Sequence, residues 1–203
     1  MVEKRGWFGP SQKEVWAALA PQVGGVFEPG RWTRSDKIVA RHGAWTFTLD
    51  IFVMPAGKTY IPFTRLRAPY VNPDGFRFKI RRRSVWTSVA EALGLHDVQV
   101  GHDGFDEAFV IHGSDPDKLR ALFDDEALRA ILESIPELSL EVKDDEGWFG
   151  VDFPEGVDEL CLTVAGVIKD EEALQHWFEL FGALLDRLCA IGSAYRNDPG
   201  VAL

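Results

Sequence analysis

In "WTFTLDIFV", residues 45–53, the apolar Trp45, Phe47, Leu49, Ile51 and Val53 alternate with Thr46, Thr48, Asp50 and Phe52. Successive side chains of a strand point to opposite faces, so this period of two calls for a sheet with one oily face that something must cover. A cover is written near the C-terminus. After Asp170, the residues Leu174, Trp177, Phe178, Phe181, Leu184, Leu185 and Leu188 recur at helical spacing and make a wide apolar face. Glu171 and Glu172 occupy the first turn, where the helix dipole favours anions. Such a helix would run roughly 30–35 Å before Gly192, long enough to lie across a sheet.

The remaining segments fill in the same plan. Ser11–Ala20 reads as a short helix with Val15, Trp16 and Leu19 inward, stopped by Pro21, and "VGGVFEPGRW" reads as loop. "TYIPFTRLRAPY" and "FRFKIRRR" are joined by "VNPDG" and read as a hairpin, with Pro62 and Pro69 pushing the first strand to a sheet edge. Ser84 caps a short helix closed by Gly94. "DVQV" and "DEAFVIHG" follow as strands. Asp115 and Pro116 then start a helix with the stripe Leu119, Leu122, Phe123, Ala127, Ala130 and Ile131. "LSLEV" and "VDELCLTVAGV" are again strands. The order is two strands then a helix, three times over, and "GFDEAFVI" matches "GVDELCLT" at three letters. The pattern predicts an α+β fold, an antiparallel sheet with helices packed on one face in repeated β-β-α units. Residues 1–203 read as a single domain, with 1–30 an N-terminal helix and loop loosely attached and 193–203 a frayed tail.

Charge divides the chain unevenly. The net charge is −10, yet residues 1–83 hold 15 Lys and Arg against 6 Asp and Glu, whereas residues 84–203 hold 7 against 26. One part is thus +9 and the other −19. Either the halves pack against each other, or a cationic face meets an acidic partner or the acidic half of a second copy. The overall acidity opposes nucleic-acid binding. No apolar run approaches the roughly 20 residues of a membrane span, and the opening residues lack the apolar core of a signal peptide. Cys161 and Cys189 belong to no CxxC motif and are expected as reduced thiols in a cytoplasmic protein.

The strongest cationic feature is "RLRAPYVNPDGFRFKIRRR", where Arg77, Lys79 and Arg81 alternate with apolar residues and Arg65 and Arg67 lie on the preceding strand. Arginine suits bidentate binding of carboxylates. A second feature is "KDDEGWFG", residues 143–150, a hairpin turn whose Trp148 and Phe149 either close the core or stand out as anchors for a partner. Calcium does not fit there: counted from Asp144, the sixth position of an EF-hand loop is Phe149 rather than glycine, although the twelfth is Glu155. Nor does zinc fit His96 and His102, which an extended strand would hold roughly 20 Å apart. No metal or cofactor is expected. No nucleophile elbow, phosphate loop, HExxH or dinucleotide fingerprint occurs. The pairs Asp106–Glu107 and Asp158–Glu159, read as strand neighbours, would face opposite ways and could not share a proton.

"KIVARHGAWTFTLD", "TRLRAPYVNPDGFRF", "VGHDGFDEAFVIHGSDPDKLRALF" and "LEVKDDEGWFGVDFPEGVDEL" resemble a family of uncharacterised bacterial proteins, over residues 15–195 or thereabouts. "FDEAFVIHGSDPDKLRALF" is also distantly similar to the soluble part of other uncharacterised bacterial proteins, where it follows a membrane anchor that is not read in this chain. The resemblance implies a bacterial, cytoplasmic protein and transfers no activity, cofactor or site. The reading is a non-enzymatic binding or assembly domain that takes an acidic partner or itself through Arg65, Arg67, Arg77, Lys79 and Arg81, with Trp148 and Phe149 as secondary anchors. The alternative is an enzyme whose fold gathers scattered carboxylates or histidines. Charge reversal at Arg65 and Arg67 is expected to abolish association and leave folding intact.

Overall fold

A computed structural model of the chain describes residues 9–31, 35–83, 97–144 and 153–203. The helix expected after Ser84 and the tip carrying Gly147, Trp148, Phe149 and Gly150 lie outside the described residues. In chain order the elements are α1 (Gln12–Gln22), β1 (Gly25–Glu28), β2 (Lys37–His42), β3 (Trp45–Ala56), β4 (Thr59–Val71), β5 (Phe78–Arg82), α2 (Asp103–Ala108), β6 (Phe109–Gly113), α3 (Pro116–Phe123), α4 (Glu126–Ser134), β7 (Ser139–Lys143), β8 (Val157–Ala165) and α5 (Glu171–Ala190). Among the described residues eight strands join one sheet in the order β1-β2-β3-β4-β8-β7-β5-β6, and every pairing between them is antiparallel. The fold is α+β, as the alternation and the greasy helix require.

The oily face is built by alternate residues of the strands. Ile38 and Ala40, Trp45, Phe47 and Leu49, Leu66, Ala68 and Tyr70, Leu160 and Leu162, Leu140 and Val142, and Phe78 and Ile80 are buried in one core with the helices. Every residue of the α5 stripe is buried, and Phe47 meets Phe178 and Phe181 at ring-centroid distances of 6.3 and 5.7 Å. Asp170 caps α5 by accepting from the Ala173 N–H. At the other end of the chain, Trp16 and Leu19 of α1 are buried in the same core, and the Trp16 indole donates to the Ile168 carbonyl. Ser11 and Glu14 form a reciprocal capping box at its start. Residues after Gly192 are tied in as well: Ser193 and Ala194 are buried, and the Tyr195 N–H donates to the Val71 carbonyl.

Beyond "DVQV", which forms no strand, and α1, which runs one residue past Pro21, four details depart from the local reading. First, β4 and β5 do not form a hairpin; β8 and β7 lie between them, so β4 is central. Pro62 and Pro69 are tolerated because each sits where β4 has one strand neighbour. Residues 64–67 pair with both β3 and β8, whereas Pro62 precedes the pairing with β8 and Pro69 follows the last pair with β3. Second, "VGGVFE" contains a strand, β1. At Gly25 a Cβ would meet the Val39 carbonyl oxygen at 2.8 Å, so the glycine marks a close approach between strands rather than a loop. Third, Asp103–Ala108 is helical, because the Asp106 carboxylate folds back onto the N–H groups of Val100, Gly101 and His102. The similar letters "FDEA" and "VDEL" therefore stand in a helix and a strand. Fourth, the helix after Asp115 breaks at Asp124, and Asp125 caps a new one by accepting from the Leu128 N–H. The break shifts the phase, leaving Ala127 and Ala130 exposed while Leu128 and Leu132 are buried.

Candidate functional site

The sheet face turned away from the helices collects the charges, and its register can be followed strand by strand. One row across the sheet runs Lys37, Asp50, Arg65, Thr163, Ser139, Arg81, Val110. The next runs Val39, Thr48, Arg67, Cys161, Glu141, Lys79, His112. A third begins at Pro69 and continues through Glu159 to Lys143. Directly paired residues share a face, so Arg65, Arg67, Lys79 and Arg81 all lie on this outer side. They do not form one groove. With β8 and β7 in between, the backbones of β4 and β5 are three strand spacings apart, about 14 Å.

The inserted strands come from the acidic half of the sequence and bring Glu159 and Glu141 to this face, while Asp50 on β3 serves the two arginines of β4. Arg65 binds Asp50 in bidentate fashion, Nε to Oδ1 at 2.7 Å and Nη2 to Oδ2 at 3.0 Å, with its guanidinium 5.0 Å from the Phe52 ring centroid. Arg67, only 4% exposed, donates to Asp50 Oδ2 at 2.7 Å and lies 3.6 Å from Glu159 Oε2. Glu159 is fully buried, with Lys143 Nζ 3.2 Å from its other oxygen. Burial pushes its carboxyl above the usual carboxylate range, against the opposing pull of Arg67 and Lys143. Next to it, burial and the Glu159 charge push the Cys161 thiol up to about 11. Lys79 pairs with Glu141. Arg77, one residue before β5, bridges Asp158 and Asp144. Arg81 is exposed and makes no ion pair among the described residues.

This arrangement changes what a charge reversal would do. A carboxylate at position 67 would face Asp50 and Glu159 in a buried setting, so reversal at Arg65 and Arg67 is a test of folding rather than of association. The half-exposed and exposed cations of the β5 row, Arg77, Lys79 and Arg81, are the ones that reach water.

The carboxylates and histidines are dispersed. Asp158 and Glu159 are strand neighbours on opposite faces; Asp158 serves Asn72 and Arg77, and Glu159 belongs to the outer network. Asp106 and Glu107 lie on α2 instead of a strand, and Asp106 is committed to its three backbone donors. A cleft of about 380 Å³ includes both, with Arg83, Gln99 and Asp103, and Arg83 there pairs with Asp97. A second cleft of about 400 Å³ lies between the end of α1, β2 and α5, with Arg41, His42, Phe47, Phe178 and Glu179 in its lining. His102 contacts Arg129 at 3.0 Å and lies 3.8 Å from Asp124; His96 is outside the described residues. Among the described residues no group of three or more His, Cys, Asp or Glu could hold a metal ion, and no helix is long and apolar enough to cross a membrane.

Sequence reading overlooked one surface. The β3–β4 hairpin runs past its neighbours, and Val53, Met54, Tyr60 and Ile61 near its tip are exposed. The signal was present in "FVMPAGKTYIPF", where apolar residues continue without alternation up to the turn. Compared with protein-family models, with curated proteins and with solved structures, the chain matches none.

Proposed function

We propose that the chain is a soluble binding or assembly domain that works by association, recognising an acidic partner or a second copy of itself. The carrying observation is the β5 end of the outer face, where Arg81 is exposed and Lys79 keeps its charged head partly in water, with half-exposed Arg77 just before the strand. Guanidinium groups there have donors to spare for an incoming carboxylate, and their planar fork suits bidentate contact. A bacterial cytoplasmic setting is part of the proposal; it rests on the family resemblance and on two free cysteines.

Fluorescence anisotropy with a labelled glutamate-rich peptide at low salt tests the reading. Wild type should bind, and the Lys79→Glu/Arg81→Glu variant should fold normally by circular dichroism and not bind. Equal binding by both proteins, or none by wild type, removes the β5 row as the site for acidic partners. The enzyme alternative has one observation in its favour, the cleft whose lining includes Arg41, His42 and Glu179 beside Phe47 and Phe178. Catalytic turnover that His42→Ala abolishes would move the function there.

A further inference from the structure

The β3–β4 hairpin is long because its two strands continue after their outer neighbours have stopped. Pairing of β2 with β3 ends at Asp50 and pairing of β8 with β4 begins at Thr64, so residues 51–56 and 59–63 form a two-stranded arm. A bridge from Gly166 to Phe63 braces its base, with the Gly166 N–H donating to the Pro62 carbonyl at 2.8 Å. Cross-strand pairs assign its two faces. One carries Phe52 opposite Phe63, stacked at 5.3 Å, and Met54 opposite Ile61; the other carries Val53 opposite Pro62 and Pro55 opposite Tyr60. Both faces are apolar, yet Tyr60 is 72% and Ile61 40% exposed. Isolated two-stranded ribbons are at best marginal in water and are stabilised by cover.

We propose that this arm is the contact through which two copies of the chain associate. Four considerations select a second copy as occupant. The arm carries one charge, Lys58, between residues 51 and 63, so an acidic partner finds little to bind there. An anionic membrane would be repelled by a protein of net charge −10. A peptide adding as a further strand meets Pro55 and Pro62, which lack N–H donors, and the Pro62 carbonyl is already taken. A second arm, by contrast, offers the same neutral apolar surface about a two-fold axis. The exposed apolar side chains amount to on the order of 400 Å² per arm. Two arms packed together bury about twice that, and their flanking residues bring the contact near the ~1,200 Å² of a small stable interface. At physiological salt the Debye length of about 8 Å screens the repulsion between the acidic bodies.

The surface is separate from the β5 row and does not depend on it, and salt distinguishes the two: apolar association survives high salt, whereas charge pairing weakens. Sedimentation velocity at high salt, from micromolar to millimolar protein, should show the mass rising from 22.7 kDa toward twice that value. In Tyr60→Ser/Ile61→Thr, with unchanged circular dichroism, the midpoint should move to concentrations higher by on the order of thirtyfold. Tyr60→Ser alone, at the more exposed position, should move it in the same direction. A wild type that remains at 22.7 kDa throughout overturns the proposal, as does a dimer unaffected by the substitutions. Binding of monomeric wild type to phosphatidylserine vesicles would also overturn it, by assigning the arm to a lipid surface.

Discussion

Arg67→Met replaces a buried guanidinium with a side chain of similar length and no charge. Arg67 sits 2.7 Å from Asp50 Oδ2 and 3.6 Å from Glu159 Oε2. Asp50 keeps its bidentate partner Arg65, but fully buried Glu159 is left with Lys143. Removing one member of a buried ion pair costs about 3–5 kcal/mol because the other charge is stranded, whereas an exposed pair is worth about 0–1 kcal/mol. The loss should also depend on pH. Burial already holds the Glu159 carboxyl above its ordinary range, so the folded state binds this proton more tightly than the unfolded chain does. The contribution of Glu159 to stability is therefore most favourable below the unfolded carboxylate pKa and declines as pH rises through the folded value. Without Arg67 the folded value climbs further, and the gap between variant and wild type should widen from acid to neutral pH. Urea unfolding followed by circular dichroism at about pH 5 and about pH 7.5 measures the gap at each end of that range. Glu159→Gln in the variant background should recover part of the loss and flatten its pH dependence. A loss below ~1 kcal/mol at neutral pH would refute the reasoning. Additivity of the two substitutions within ~0.5 kcal/mol would do the same.

Three further outcomes are expected. Gly113→Ala brings a Cβ to 2.9 Å from Leu119 Cδ1 and 3.1 Å from the Arg77 carbonyl oxygen, and overpacking there should cost about 1–3 kcal/mol in a urea or thermal melt. Asp106→Ala strands the Val100, Gly101 and His102 N–H groups; it should cost about 1–3 kcal/mol and speed hydrogen exchange at those three amides. Alkylation of the native protein should modify half-buried Cys189 first, whereas Cys161, buried and with its thiol pushed up to about 11, should react only after unfolding. Equal rates at the two cysteines would contradict the placement of Cys161.

Elements defined by local chemistry could be read from the sequence. The alternation of Trp45–Val53 gives β3, the stripe from Leu174 to Leu188 gives α5, and Asp115 and Asp170 cap the helices they precede. Partner choice is a different matter, since it depends on residues far apart in the chain. "VNPDG" does turn the chain, with the Asp74 carboxylate accepting from the Phe76 N–H. The Asn72 amide, however, reaches Asp158 on β8, and β5 is carried past two strands before it pairs. No spacing within residues 59–82 reveals that insertion. The charge asymmetry does point to it: a +9 segment beside a −19 segment favours acidic strands lying among basic ones. The break between α3 and α4 was also legible in principle, because Asp125 is followed three residues later by Leu128, whose N–H it caps; the continuing apolar stripe masked it. Of the candidate site, the alternation places Lys79 and Arg81 in phase along β5, with Arg77 just before it, whereas their separation from Arg65 and Arg67 is a property of the sheet order.

The contacts of Arg67 and Lys143 with Glu159, and of Lys79 with Glu141, exist because β8 and β7 lie between β4 and β5. Interstrand backbone NOEs on isotopically labelled protein read that order directly. Contacts are expected between Leu66 and Leu162, between Leu162 and Leu140, and between Leu140 and Ile80. Contacts joining residues 64–71 directly to residues 78–82 would contradict it and return the basic strands to a single contiguous hairpin.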